Sequence, residues 1–512
     1  MTSSFENEPR PSENERWSRV PDIAVGVPGD RGRQQPTVYL RTALLVDRSA
    51  SHQDDPLTDL RSAAERFGWE IDADRGVNRV VRVRDRTRDD EGVERSMQRV
   101  LLTATSSSPT PDVDAVAVLR AFREANTDSD VTVTLEHVLA AGPFMSPFMS
   151  PFMSPFMSPF MSPFMSPFVS GGSPAGSYAF PGAGGRQPVA FVGRPPVRTP
   201  DDRMTSTRPR VAILDTGCGA HDWLTFVERG VDQNPVIGVH DPATDPEVHP
   251  DVLGPLDGAM DPLVGHGTFI AGLVHQEAPD ADILAVRVLE KDGIVHEFDL
   301  IAALSGLAHW IEADGAHRVD VLNLSLGYYH EDVEDRMFPS LLRDVLTDLR
   351  VLGVTVVASA GNDATSRPCY PAAFAVDPVV AGAAPLVAVA ADNPNGTPAM
   401  FSNAGAWVTT SMTGAAVMST MPDFDAGSSP LARSASTSGA ARETIDPDDF
   451  LGGFGVWSGT SFAAPIVAGR IAAALTGGAV SAADAVAVVL GRISEEHAAL
   501  RAKAAARVRG SR

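Results

Sequence analysis

The sequence predicts an α/β protein whose mostly parallel sheet is covered by helices on both faces, preceded by a small α+β domain. From Arg210 onward, short runs of Val, Ile, Leu and Ala alternate with segments of helical period. Strands without polar alternation are buried on both faces, which is typical of a parallel sheet between helices. Residues 37–142 instead follow the order β-α-β-β-α-β, the split βαβ arrangement.

Each element is predicted from its period. Apolar residues three and four apart indicate helices, and alternating or continuous apolar runs indicate strands. In the small domain we predict strands at 37–46, 100–105 and 131–139, one or two short strands at 69–71 and 78–83, and helices at 56–67 and 113–125. In the large domain we predict strands at 211–214, 283–288, 319–324, 354–358 and 386–390, and helices at 266–274, 300–312, 341–352 and 462–475.

Composition divides the 512 residues into segments. They are a disordered tail over 1–36, the small domain over 37–142, a linker over 143–205, the large domain over 206–495 with a polar insertion at 421–453, and a charged tail over 496–512. The linker contains PFMS six times and then PFVS. Proline at every fourth residue excludes a helix or a central strand. A neutral low-complexity expansion is an alternative explanation of the repeat.

The charge balance excludes some partners. Forty-two basic against 65 acidic residues give a net charge of −23, so we expect neither nucleic acid nor an anionic membrane surface as a partner. Two cysteines, Cys218 and Cys369, are too few for a disulfide framework, and two buried thiols are favoured over one disulfide. We predict no metal site and no cofactor.

The chain shows no targeting segment by its composition. The first 20 residues carry both charge signs without an apolar run, which is unlike a secretory signal. The longest apolar run, 379–391, is shorter than the roughly 20 residues of a membrane span. We therefore expect a cytoplasmic protein, with a non-standard export route or a different true start left open.

Three short motifs carry the residue types of nucleophilic catalysis. Asp215 (in DTG) ends a predicted strand, and His266 (in GHGT) and Ser461 (in GTS) each open a predicted helix. Each motif alone is ordinary, because it fits a turn or a helix cap. Together they follow the order Asp, His, Ser, which is one of the orders known for a catalytic triad. Asn362 (in ASAGN) follows another strand and could donate a hydrogen bond to a developing oxyanion.

The motifs DTG, GHGT, ASAGN and GTSFAAP resemble those of the subtilisin-like serine proteases, the subtilases, over about residues 208–490. The resemblance implies an endopeptidase acting on polypeptides: Ser461 attacks the peptide carbonyl, His266 is the general base, and Asp215 orients the imidazole. It further implies that Asn362 and the Ser461 N–H stabilise the oxyanion. The short connection after the histidine helix has no room for the calcium-binding loop of many family members, so no calcium site is expected there.

The resemblance also predicts the substrate-binding residues. Its binding strand and specificity pocket correspond to Ser325, Leu326, Gly327, Ala360, Gly361, Cys369 and Tyr370. Because the residues expected to line the pocket are uncharged, we predict a preference for an apolar or aromatic residue before the scissile bond. Cys369 has an equally good interpretation as a small buried hydrophobe.

Subtilases resemble one another in an amino-terminal prodomain that assists folding and then blocks the cleft. Residues 37–142 fit such an intramolecular inhibitor; a partner-recognition module of similar shape, or an unrelated domain, is the alternative. For processing, the glycine-rich residues 171–205 are favoured over the proline-rich repeat. Two other functions stay open: a catalytically silent peptide-binding scaffold, and a transpeptidase that passes the acyl-enzyme to an amine.

Overall fold

The computed structural model describes most of the chain outside its amino-terminal tail and the repeat. The described residues are 23–26, 37–47, 56–72, 80–85, 93–105, 112–126, 132–141, 186–190, 193–231, 237–251, 260–331, 340–425, 433–435, 439, 441–443, 450–479 and 481–510. They form two seven-stranded sheets, a three-stranded sheet and a two-stranded hairpin. The PFMS repeat lies outside the described residues. Of the helices described, none is both long and apolar enough to cross a bilayer.

The first sheet is antiparallel. Its elements are β1 (Ile23–Gly26), β2 (Thr37–Asp47), α1 (Pro56–Glu65), β3 (Trp69–Asp72), β4 (Val80–Asp85), β5 (Val93–Ala104), α2 (Ala115–Ala125) and β6 (Val133–Ala140). The central order β6-β2-β5-β3 is that of a split βαβ domain, as predicted. Strand β2 is buried along most of its length, because α1 and α2 cover one face of the sheet and helices of the large domain cover the other.

The prediction of a disordered tail over residues 1–36 is wrong for residues 23–26. Ile23–Gly26 forms β1 and pairs antiparallel with the first half of β2, with Ile23 opposite Leu40. The sequence IAVG is short and apolar, and the exposed edge of the long strand β2 supplies its hydrogen-bond partners. A tail judged on its average polarity hides such a short strand.

The second sheet is wholly parallel, with the order β15-β14-β13-β12-β8-β10-β9. Its strands are β8 (Arg210–Asp215), β9 (Glu228–Arg229), β10 (Asp282–Arg287), β12 (Val321–Leu324), β13 (Thr355–Ser359), β14 (Leu386–Asp392) and β15 (Thr410–Thr413). The helices are α3 (His266–Glu277), α4 (Glu297–Ala313), α5 (Leu341–Val351), α6 (Thr460–Thr476) and α7 (Ala482–Gly510). The predicted fold class is confirmed.

Alternate residues of each parallel strand enter different cores. In β8, Val211 and Ile213 pack with α3 and α6, whereas Ala212 and Leu214 pack with α4 and α5. Both faces are therefore apolar, which explains the continuous hydrophobic runs of the sequence. Cys218 and Cys369 are buried and not bonded to each other, as predicted.

Several boundaries differ from prediction. Within the predicted linker, residues 186–190 and 193–205 pack on the large domain, where β7 (Gln187–Pro188) pairs with β19 (Phe454–Trp457) and Arg198 donates to the Ala281 carbonyl at 2.6 Å. The ends of the predicted surface insertion are core residues, since Met421 and Phe450 are buried. The polar composition of the segment gave no indication of these apolar ends. Between them, β17 (Arg433–Ala435) and β18 (Ala441–Glu443) form a hairpin. Just outside them, β16 (Val417–Thr420) pairs with β19.

The predicted charged tail over 496–512 is not separate from the large domain's last helix. Helix α7 continues without a break past residue 495 to Gly510. Alanine and long charged residues, which dominate this segment, are good helix formers. The sequence pattern lacks the apolar stripe that would have indicated this last part of the helix.

The two large sheets meet through β6. The seventh strand of the antiparallel sheet, β11 (Ile294–His296), comes from the large domain and pairs antiparallel with β6, with Ile294 opposite Ala140. The last residue of β6 also pairs with Gly327, which follows β12. The carboxyl end of the small domain is thus a strand between two segments of the large one.

Candidate active site

The predicted catalytic side chains lie at one edge of the parallel sheet. Asp215 ends β8, and Asn362 follows β13 by three residues; β8 and β13 are both neighbours of β12. The amino ends of α3 and α6 supply His266 and Ser461. Ligands bind outside the carboxyl ends of parallel strands in open α/β sheets, so this edge is the expected position of a site.

Asp215 and His266 form a buried pair. The Asp215 Oδ1 atom lies 2.7 Å from His266 Nδ1, and both side chains are almost fully buried. The Thr216 N–H also donates to Asp215 Oδ1 at 2.8 Å, which fixes the carboxylate. An Nδ1–H donated to a carboxylate leaves Nε2 as the basic nitrogen. The pair has the geometry of an oriented general base.

Close packing of α3 against the turn after β8 makes this bond possible. A Cβ atom built on Gly267 would lie only 2.1 Å from the Gly217 carbonyl oxygen. Any other residue at position 267 would push the helix away from the turn. The glycine of GHGT therefore allows the histidine to reach the aspartate.

Ser461 is the second residue of α6, and a proline, Pro465, stands one helical turn after it. Pro465 has no N–H to donate to the Ser461 carbonyl, and the Ser325 hydroxyl donates to that carbonyl instead, at 2.9 Å. The predicted substrate-binding residue Ser325 therefore also supports the backbone of the predicted nucleophile. Asn323 Nδ2 donates to Ser325 Oγ at 3.0 Å and holds this contact in place.

The Ser461 hydroxyl does not bond to His266 in this structure. It donates to the Ala141 carbonyl at 3.2 Å, with the Ser325 carbonyl at 3.4 Å. The structure thus brings Ser461 to the same edge as the Asp215–His266 pair while its hydroxyl is engaged with the end of the small domain. Catalytic hydrogen bonds often tighten only when substrate is bound.

Asn362 is held by the first residue of α6. Its Oδ1 atom accepts the Thr460 N–H at 2.8 Å and the Thr460 hydroxyl at 2.9 Å. This arrangement leaves Nδ2 as the remaining hydrogen-bond donor of the side chain. An amide donor next to the serine suits the stabilisation of an oxyanion.

The other predicted binding residues lie in different surroundings. Gly327 pairs with Ala140 through both backbone hydrogen bonds, at 3.0 and 3.1 Å, so it contacts an extended segment as a binding strand does. Leu326, Ala360 and Cys369 are instead buried in the core, and Tyr370 exchanges backbone bonds with Tyr328. Gly361 donates its N–H to Thr460 Oγ1 at 3.1 Å, next to the serine. The specificity pocket stays a prediction.

Two clusters of ionic contacts join the small and large domains. His137 of β6 is buried between two carboxylates: its Nδ1 lies 2.7 Å from Glu297 and its Nε2 lies 2.8 Å from Glu331. Burial alone would lower the pKa of His137, but the two carboxylates outweigh it and raise that pKa to about 10. Arg99 bridges Glu136 and Asp299, the latter at 2.9 Å.

Sequence reasoning missed the surroundings of His266. The rings of Trp457 and Phe462 lie 5.6 and 5.2 Å from its imidazole, and Phe269 packs against both aromatic rings. Trp457 and Phe462 could have been found from the sequence, because they flank the motif SGTS. A buried glutamate behind the pair, Glu247, gave no signal, because it lies in a polar loop with no recognisable pattern.

A carboxylate–imidazole pair at a strand end, with a serine at a nearby helix start, defines the class of serine hydrolases. The family model described as the subtilase family matches residues 206–486, more than half of the chain. This chain therefore belongs to the subtilase family of serine proteases.

Curated relatives agree with this family. The chain is 30% identical to Subtilisin BL of Lederbergia lenta over 228 residues, covering 43% of this chain and 68% of that protein. It is 28% identical to the minor extracellular protease Epr of Bacillus subtilis over 227 residues, covering 42% of this chain and 28% of that protein. It is also 26% identical to an intracellular serine protease of Paenibacillus polymyxa, covering 51% and 65%.

Solved structures match at lower identity. A serine-to-alanine mutant of the protease domain of PatA is 23% identical, covers 52% of this chain and 79% of its own, and has a TM-score of 0.35. A cold-adapted subtilisin-like serine proteinase is 19% identical, covers 58% and 88%, and has the same TM-score of 0.35.

Proposed function

We propose that the chain is a serine endopeptidase that hydrolyses polypeptides through Asp215, His266 and Ser461. The observation that carries the proposal is the buried 2.7 Å bond between Asp215 and His266, at the strand edge where α6 presents Ser461. His266 Nε2 takes the proton of the Ser461 hydroxyl as Oγ attacks the peptide carbonyl. The protonated imidazole, stabilised by Asp215, then gives that proton to the leaving amine.

Asn362 Nδ2 and the Ser461 N–H stabilise the negative charge that develops on the carbonyl oxygen. Both donors lie at the amino end of α6, where the helix dipole also favours negative charge. Water then attacks the acyl-enzyme with His266 as the base, which releases the second product and restores the serine.

Residues 37–141 restrain the enzyme in this proposal. Strand β6 lies between β11 and Gly327, and the Ala141 carbonyl accepts a hydrogen bond from the Ser461 hydroxyl. The end of the small domain therefore occupies the position in which a substrate would bind. Adding a strand to a sheet edge is a common mode of peptide recognition. The contact at Ala141 favours a processing bond just after this residue over the predicted region 171–205.

The enzyme prefers an apolar or aromatic residue before the scissile bond. The residues expected to line the pocket include Leu326, Ala360 and Cys369, which are buried and uncharged. A charged substrate side chain would lose its hydration there without gaining a partner. Peptides with Phe, Leu or Met at that position should be cleaved at least about tenfold faster than matched peptides with Lys or Glu.

Intact mass spectrometry with a serine-directed fluorophosphonate tests the proposal. The samples are the wild-type chain, Ser461→Ala, and His137→Gln, which weakens the contact between the domains. We expect one adduct on Ser461 in the wild type or in the His137→Gln chain, and none on Ser461→Ala. Shortening of the wild type near Ala141, absent in Ser461→Ala, would show self-processing.

Each alternative has its own outcome. If neither the wild type nor His137→Gln is labelled, the proteolytic function is wrong and a silent peptide-binding scaffold replaces it. If the chain is labelled but joins an added amine to the cleaved fragment in preference to water, the transpeptidase is correct. Labelling together with hydrolysis supports the endopeptidase.

A further inference from the structure

We propose that Glu247 is a positioning residue of the active site: its carboxylate joins the turn after β8 to the first turn of α3 and so sets the Asp215–His266 pair. The inference rests on the proposed function and adds a side chain outside the predicted triad. Glu247 lies in the loop between β9 and α3 and is 1% exposed.

The first turn of α3 needs an external partner. The first N–H groups of a helix have no partner within the helix, and a side chain at the N-cap usually accepts one of them. The N-cap of α3 is Gly265, which has no side chain and adopts φ of 76°. Glu247 supplies the missing acceptor: Oε1 lies 3.0 Å from the Gly267 N and Oε2 lies 3.3 Å from the Thr268 N.

The same carboxylate holds the turn that carries the aspartate. The Thr216 hydroxyl donates to Glu247 Oε1, and Thr216 directly follows Asp215. The Gly267 N–H is shared with Thr216 Oγ1 at 2.7 Å, so the two segments are also joined directly. Movement of Glu247 would therefore displace both partners of the catalytic bond.

The Thr268 hydroxyl completes the connection. It donates to Glu247 Oε2, while Thr268 Oγ1 accepts the Gly219 N–H at 2.7 Å. In the described part of the chain, the four donors to the carboxylate thus come from the two segments that carry Asp215 and His266. The Glu247 carboxylate lies at the amino end of α3, where the helix dipole favours a negative charge.

A buried carboxylate is an expensive way to cap a helix. Among the described residues, neither Lys nor Arg forms an ion pair with Glu247. Burial raises the pKa of Glu247 to about 6, and the like charges of Asp245 and Asp215 contribute to raising that pKa. A charge in such surroundings lowers stability unless its hydrogen bonds compensate, and here every bond serves the geometry of the site.

The test compares Glu247→Gln and Glu247→Ala in a full chain that reacts with fluorophosphonate, either the wild type or His137→Gln. Glutamine keeps the shape and one acceptor but places an NH₂ group against donors, so we expect kcat to fall about tenfold. Alanine removes all four contacts, and we expect about a hundredfold loss, which is the cost of a misplacement near 1 Å. KM should stay within about twofold, because the substrate-binding segments are untouched.

Asp320→Asn is the matched control. Asp320 is buried and its Oδ2 accepts a backbone N–H, that of Arg210 at 2.9 Å, but it lies at the amino ends of β8 and β12, across the sheet from the site. We expect Asp320→Asn to lower the melting temperature without changing kcat. If Glu247→Gln and Glu247→Ala behave like this control, Glu247 has only a structural role.

The failure of this inference differs from the failure of the proposed function. Active reference chains with unchanged kcat in both Glu247 variants would reject the positioning role alone. Reference chains that neither react with fluorophosphonate nor hydrolyse peptide would reject proteolysis, and the positioning role with it.

Discussion

The two seven-stranded sheets serve the site in different ways. The parallel sheet places side chains at its carboxyl edge, where the ends of β8 and β13 meet the amino ends of α3 and α6. The antiparallel sheet contributes backbone, because β6 pairs with β11 and reaches Ser461 through Ala141. The first arrangement depends on residues at element ends, and the second depends on pairing between segments remote in sequence.

This difference explains what could be predicted. Asp215, His266, Asn362 and Ser461 stand in short motifs whose glycines and small residues are required locally, so each could be found from the sequence. His137 and Glu331 are 194 residues apart and carry no motif, and only the docking of the sheets brings them together.

Among substitutions at the carboxyl edge of the parallel sheet, Asn362→Ala should lower kcat the most. Loss of one side-chain donor to an oxyanion costs about 10²–10³ in kcat, and KM should change little. Peptide hydrolysis by the activated full chain measures it. Asn395→Ala, in an exposed loop of the same domain, is the control and should leave kcat unchanged. An unchanged kcat in Asn362→Ala would exclude Asn362 from the oxyanion site.

Among substitutions in the antiparallel sheet, His137→Gln should change the fluorophosphonate reaction the most. Removing one partner of a buried ion pair costs about 3–5 kcal/mol, because the remaining charge is left buried. We therefore expect the fluorophosphonate reaction of the full chain to become at least about a hundredfold faster as the cleft opens. His249→Gln, which removes a similar 2.7 Å contact at the surface, should change this rate little. Equal rates in both variants would contradict restraint through β6.

The same contact predicts a pH dependence. In the docked state the pKa of His137 is raised to about 10, above its ordinary value near 6.5. The contact contributes fully below the ordinary value and is lost as pH rises through about 10. The facing groups are Glu297 and Glu331, with His330, whose pKa burial lowers to about 3, packed beside the ring.

The fluorophosphonate reaction of the full chain, measured between pH 7 and pH 10, tests this dependence. The wild-type rate should rise with pH more steeply than the rate of His137→Gln, in which the titrating group is absent. The difference between the two profiles isolates the contribution of His137. Parallel profiles would show that the charge of His137 does not control docking.

The fold shows the same division between local and remote signals. The alternating strands and helices of the large domain follow from continuous apolar runs, because both faces of the parallel sheet are covered. The buried ends of the insertion, Met421 and Phe450, and the short strand Ile23–Gly26 were missed. Each is a brief apolar segment in polar surroundings, and its structure depends on a partner strand or core that local patterns do not reveal.

Ser325→Ala should have the smallest effect, and it acts where the two arrangements meet. The Ser325 hydroxyl donates to the Ser461 carbonyl that Pro465 leaves without a helical partner, while the Ser325 carbonyl lies 3.4 Å from the Ser461 hydroxyl. Losing one such hydrogen bond costs about 1 kcal/mol, so we expect kcat to fall about fivefold through a less fixed Ser461. Ser305→Ala, a buried serine on α4 away from the site, is the control. If Ser325→Ala changes KM and leaves kcat unchanged, Ser325 serves substrate binding alone, and the support of the nucleophile comes from the helix itself.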